Sequence, residues 1–152
     1  MTFEVTMAVD YGTARVGVAV SAGLLARPVE VIPNRTPDQL LAQLQRLARD
    51  ELVTRWLVGL PTNADGSEGE QAAVSREFAQ WLADAQPLPV FLWDEHGSSQ
   101  QAQAQMIAAG MKQKRRKEML DAWAAAQFLQ QYVDRDGWGV EQVWPLEGEK
   151  DG

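Results

Sequence analysis

The chain has 152 residues, 45% of them hydrophobic and 23% charged, which is a single domain's length with enough apolar material for its own core. It contains no cysteine and one histidine, which excludes disulfide scaffolds, zinc fingers, thiol nucleophiles and a three-histidine zinc site. A formal charge of −7 argues at first against a nucleic-acid binder, because phosphate contacts are made mainly by Lys and Arg.

Residues 3–10 alternate Phe3, Val5, Met7 and Val9 with Glu4, Thr6 and Ala8, which predicts a strand. A turn at 11–14 leads into a second alternating run, 15–21, and a third extended run, 26–32, stops at Pro33. These three are expected to form an antiparallel meander. Leu40, Leu41, Leu44, Leu47, Ala48 and Leu52 recur at spacings of three and four, so 38–52 is expected to be a helix, with Thr36-Pro37 as N-cap and first residue. A short buried strand, 56–60, ends at Pro61. The 67–85 segment reads as an amphipathic helix opened by a Ser67–Glu70 capping box. Residues 89–93 form a fifth strand, 98–110 a helix, 112–117 a basic loop and 118–133 a last helix. The order βββ-α-β-α-β-α-α predicts an α/β fold with a mixed five-stranded sheet flanked by helices. Residues 134–152 hold six acids against Arg135 and Lys150, and read as a partly ordered acidic extension, whose Trp138 and Trp144 either stack bases, join a dimer or, the preferred expectation, pack back on the body. No apolar run approaches the roughly 18 residues of a membrane span, and the first ten residues carry two acids and no base, unlike a signal peptide. The expectation is a soluble cytoplasmic protein that does not engage membranes.

Three acidic segments adjoin apolar ones. Asp10 ends the first strand beside Gly12, placed either to cap the turn or to face a metal or phosphate. Asp94 and Glu95 follow the apolar run 90–93; successive strand residues face opposite ways, so one of the pair can serve a shared site. Asp121 stands alone in Met119-Leu120-Asp121-Ala122-Trp123, either favouring its helix dipole or carried to a site by a helix packed on the sheet. Carboxylates from separate segments, without cysteine, form a donor set suited to Mg²⁺ or Mn²⁺ and to phosphoryl chemistry.

The run Asp10-Tyr11-Gly12-Thr13-Ala14-Arg15-Val16-Gly17 resembles the opening signature of the YqgF/RuvX-like proteins, a branch of the RNase H-like nucleases related to RuvC resolvases. Val58-Gly59-Leu60-Pro61 with Asn63, Asp65-Gly66 and Glu68-Gly69, then Asp94-Glu95, then the basic run before Asp121 and Ala124-Ala125-Ala126, resemble its further motifs in order. The resemblance covers about residues 3–133 and implies an RNase H-like domain there. It implies that Asp10, Glu95 and Asp121 are the metal-binding and catalytic set, with Mg²⁺ or Mn²⁺ as cofactor. It implies a nuclease processing the 5′ end of precursor 16S rRNA or, by kinship to RuvC, resolving Holliday junctions, and a homodimer. The chain departs from the pattern where His96-Gly97 stands in place of an Arg after the acidic pair; His96 can replace that charge only in part, being fractionally protonated at neutral pH.

In this reading Gly12 lets backbone approach phosphate, and Arg15 either contacts the nucleic-acid backbone or covers the sheet edge. Asn63 and Asp65-Gly66 are turn residues first. Lys112, Lys114, Arg115, Arg116 and Lys117 form either a solvated helix start or a phosphate track; cations at a helix start oppose the dipole, which favours the track. Two rivals remain. An actin-like or sugar-kinase-type ATPase shares the Asp10-Tyr11-Gly12-Thr13 loop but needs two such domains. A non-catalytic assembly or nucleic-acid-binding factor would tolerate Asp10→Asn. The charge argument weakens on partition: the tail accounts for −4, leaving −3 on residues 1–133, beside a run of five bases.

Overall fold

The computed structural model describes residues 4–95 and 97–146. Five extended runs appear as expected: β1 (Thr6–Tyr11), β2 (Arg15–Ser21), β3 (Ala26–Pro33), β4 (Arg55–Leu60) and β5 (Val90–Asp94). Both hairpins, β1–β2 and β2–β3, are antiparallel, while β4 and β5 add in parallel beside β1. The expected five-stranded sheet is corrected to six. Glu141–Val143 forms β6, antiparallel to β5, giving the order β3-β2-β1-β4-β5-β6. The sixth strand escaped periodicity because three residues are too short to show alternation. The extension is thus partly built into the sheet, but Trp138 and Trp144 stay 83% and 62% exposed instead of packing back.

The helices are α1 (Pro37–Asp50), α2 (Glu70–Ala85), α3 (Ser98–Ala108) and α4 (Gln113–Asp134). Thr36 caps α1 as expected, its hydroxyl accepting from the Gln39 amide. The capping box on α2 does not form. Ser67 donates to Asp65 and accepts from Asn63, and the helix starts at Glu70 behind Gly69. α4 begins five residues earlier than expected, so the basic run is its N-cap and first turns, not a loop.

Strand residues alternate between two cores. Met7, Val9, Val16, Val18, Trp56 and Val58 face α1 and α2, packing with Leu40, Leu44, Phe78 and Leu82. Ala8, Ala19, Leu57 and Trp93 face α4, packing with Ala125, Phe128, Leu129 and Tyr132. Small residues on that second face let α4 lie close. A Cβ on Gly17 would overlap the backbone carbonyl of Asp121, so α4 touches β2 at this position through main chain. Residues of the same strand parity as Ala8 and Trp93 therefore point under α4, and these include Asp10 and Glu95.

Candidate active site

Asp10 sits near the end of β1, paired in the ladder with Gly17. Its side chain shares the face of Ala8, beneath α4. Glu95 follows the last residue of β5, and its amide donates to the Leu60 carbonyl at 3.0 Å, which continues the β4–β5 pairing one residue further. Glu95 projects to the same face as Trp93. Gly59 makes its room, since a Cβ there would stand 2.6 Å from Glu95 Oε2 and 2.7 Å from Phe128 Cε2. Asp94 points the other way, where its carboxylate accepts from the Thr62 hydroxyl at 2.6 Å. Of the two adjacent acids, the sheet thus turns Glu95 inward and Asp94 out.

Asp121 is the ninth residue of α4, far from the helix start, so the dipole gives no reason for its charge. The Gly17 contact sets its backbone over β2. Its carboxylate accepts from Arg15 Nε at 3.3 Å across the rim of the site. Arg15 therefore faces a site carboxylate in this structure.

The electrostatics are those of crowded acids. Burial, then the Asp121 charge, raises Asp10 from 3.8 to about 7. Burial, then the charges of Asp10, Asp94 and Asp121, raises Glu95 from 4.5 to about 9. Glu95 Oε2 is fully buried with no hydrogen-bond partner. A buried acceptor without a donor is costly unless a proton or a cation meets it.

The donor set is all carboxylate oxygen, which suits Mg²⁺ or Mn²⁺, and the orphaned Glu95 oxygen with its like-charged neighbours is the environment a cation would relieve. Among the described residues, no three acidic, imidazole or thiol groups are preassembled around one point to hold an ion. Asp10 and Glu95 fit as the inner donors, and Asp121 is engaged by Arg15. His96, the candidate for the displaced Arg charge, lies outside the described residues.

Gly12 has a structural reason of its own. Its carbonyl accepts from Asn34 Nδ2 at 2.9 Å, and a Cβ there would come within 2.6 Å of the Arg15 carbonyl. Lys112, Lys114, Arg115 and Lys117 are exposed on the first turns of α4, whereas Arg116 folds inward and donates to the Met111 carbonyl at 2.7 Å. Asn63, Asp65 and Ser67 bond to one another in an exposed turn with Gly66 at φ +85°.

A family model described as "RuvX: Holliday junction resolvase" matches residues 4–135. The chain belongs to this family. A protein of Anaeromyxobacter dehalogenans named "Putative pre-16S rRNA nuclease" is 42% identical over 132 residues, covering 86% of this chain and 96% of that one. A protein of the same name in Symbiobacterium thermophilum is 41% identical over 127 residues, covering 82% and 88%. Among solved structures, Thermus thermophilus RuvC in complex with a Holliday junction substrate superimposes with a TM-score of 0.52 at 19% identity, over 92% of this chain and 99% of RuvC. At that identity the likeness concerns the fold, which is RNase H-like in RuvX and RuvC alike. No helix among the described residues is long and apolar enough to cross a membrane.

Proposed function

We propose that this RuvX-family protein is a divalent-metal-dependent nuclease that hydrolyses phosphodiester bonds, with the 5′ region of precursor 16S rRNA as its substrate and the cytoplasm as its place of action. The observation that carries the reading is the pair Asp10 and Glu95 crowded beneath α4, Glu95 in the space left by Gly59 and α4 seated close by Gly17, with one Glu95 oxygen buried and unbonded. The names of relatives about 40% identical over most of both chains supply the substrate class.

Asp10, Glu95 and Asp121 would hold Mg²⁺ or Mn²⁺, which supplies Lewis-acid stabilisation of the charge developing on the phosphodiester. The chain's own residues do the rest. Glu95 carries a proton on its carboxyl in the ion-free protein at neutral pH and must lose it before it can act as a ligand. Arg15, at the rim, exchanges its contact with Asp121 for a substrate phosphate, which frees Asp121 to turn towards the other two acids. The exposed bases of α4, beginning two turns before Asp121, guide the nucleic-acid backbone towards the same rim. α4 lies over the acids and keeps bulk water from the inner pair.

The test incubates the protein with precursor 16S RNA, a four-way DNA junction and single-stranded DNA, each with Mg²⁺ or Mn²⁺, beside an Asp121→Asn control. Cleavage of the RNA by the parent chain and not by the control is the expected result. Preference for the junction would move the substrate to DNA. Inactivity on all three, with fold and metal binding verified, would reject the nuclease reading.

A further inference from the structure

The opposite face of the sheet carries a second concavity that the acidic site does not use. Tyr11 follows Asp10 on β1 and so points away from α4, towards α1 and α2. There its ring stacks on Phe78, with centroids 4.3 Å apart and planes 19° from parallel, and Phe78 meets Trp81 at 5.6 Å. Val74, Glu77, Phe78 and Trp81 fall on one face of α2, and with Tyr11 and Asn34 they line a pocket of about 210 Å³. Pockets that bury drug-sized ligands run to roughly 300–1,000 Å³, so this one suits a single planar ring system.

Two polar groups sit in the aromatic wall. Asn34 is fixed twice, its side-chain amide donating to the Gly12 carbonyl at 2.9 Å and its backbone N–H to the Ala14 carbonyl at 2.9 Å. That holds the wall rigidly to the loop between Asp10 and Arg15. Glu77 is exposed on α2 and has no ion-pair partner among the described residues. A free carboxylate at an aromatic slot repels phosphate and accepts hydrogen bonds from a ring edge that carries N–H groups. Among nucleobases, the edge with two adjacent donors is that of guanine, through N1–H and the N2 amino group. Stacking on aromatic rings is the general means by which proteins hold an unpaired base.

We propose that the Tyr11–Phe78–Trp81 pocket binds one unpaired guanine base of the nucleic-acid substrate, with Glu77 selecting it. The base enters the α1–α2 side of the β1 end while the neighbouring backbone crosses the 10–15 loop to the acids under α4. The loop is then the divide over which the strand is bent, and the pocket sets which nucleotide lies at the acids. This rests on the nuclease reading for its ligand, but binding at the pocket is measured without cleavage.

The experiment follows the Trp81 indole N–H by NMR in the full chain labelled at tryptophan, in chelator, with GMP, AMP and UMP as probes. Trp81→Phe assigns the signal. GMP is expected to shift the Trp81 resonance and leave those of the buried Trp56 and Trp93 in place, with AMP and UMP several-fold weaker. Glu77→Gln should weaken GMP by about tenfold, the loss expected of a charge-assisted hydrogen bond. Val74→Phe, which fills the pocket, should abolish the shift while melting as the parent does. A short oligouridine with one internal guanosine should shift the same signal, and the all-uridine oligomer should not. Equal shifts with all three nucleotides, an unchanged response in Glu77→Gln, or a response to GMP without one to the guanosine oligomer would each overturn the proposal. A chain that cleaves RNA yet fails these tests keeps the nuclease reading and loses the pocket; one that passes them yet cleaves nothing does the reverse.

Discussion

Asp10 and Glu95 are held near each other and away from water, and both effects favour the protonated carboxyl. Their folded values of about 7 and about 9 lie above ordinary values of 3.8 and 4.5. Between those limits the folded chain binds more protons than the unfolded one, so stability falls as pH rises. The fall begins near the ordinary carboxyl range, is complete for Asp10 above about 7 and continues for Glu95 to about 9. The ion-free protein should therefore melt at a lower temperature at pH 8.5 than at pH 5.5, and Mn²⁺ should raise the melting temperature more at the higher pH. A melting curve in chelator that is flat or rises over this interval would contradict the crowded-acid account. Asp10→Asn removes one member of the pair: cleavage should drop by about 10²-fold or more, as when a charge-stabilising group is lost, while ion-free melting at pH 8 rises by roughly 2–4 °C per kcal/mol relieved. Arg15→Ala should leave melting almost unchanged, because its partner contact is surface-exposed and such pairs contribute about 1 kcal/mol at most. It should weaken substrate binding instead.

At the scale of elements, Gly17 decides where α4 lies. Adding one methyl group at that position sets side chain against main chain, which neither element can yield without moving apart. Gly17→Ala should cost about 3 kcal/mol, the upper range for overpacking, and lower melting by roughly 6–12 °C; unchanged thermal unfolding would show that α4 is less closely seated. Nothing local in the sequence gives the reason for this glycine, because that reason is a partner 104 positions away in the chain, between residues 17 and 121. The strands and α1 were legible because apolar period and a Thr-Pro start are local signals. The inward turn of Glu95 was half legible: parity says that Asp94 and Glu95 diverge, but which one faces α4 depends on the β4–β5 register. The Ser67 box failed because Asp65 and Asn63 compete for the same hydroxyl. The start of α4 is not legible in the sequence because charge marks a segment as exposed without saying whether it is helical. The pocket left no sequence signal, as its walls come from β1, α2 and the approach to α1.

For the whole molecule, charge is organised by region more than by total. Residues 96–117, between Glu95 and Glu118, include no acid and five bases in a chain of −7. Lys114→Ala and Lys117→Ala should each reduce the slope of log affinity against log salt by about 0.7 on single-stranded nucleic acid. Arg116→Ala should lower stability and leave that slope alone, because its guanidinium is spent on the Met111 carbonyl. At the far edge, β6 covers β5, and Arg76 ties it down by bridging Glu68 and Glu141 at 2.7 and 2.8 Å. A chain ending at residue 136 should keep its fold but expose the β5 edge, melt lower and aggregate more readily on heating; light scattering indistinguishable from the full chain would show β6 to be dispensable. The order of strands has a temporal consequence. β1 is made first but lies inside the sheet, its acid waiting for a parallel neighbour from the middle of the chain and for a helix from its end. During synthesis Asp10 and Glu95 gain their covering helix, and with it Asp121, only after α4 has left the ribosome, so under the proposed function a partly made chain would lack one of its three acids and stay silent until its last helix is in place.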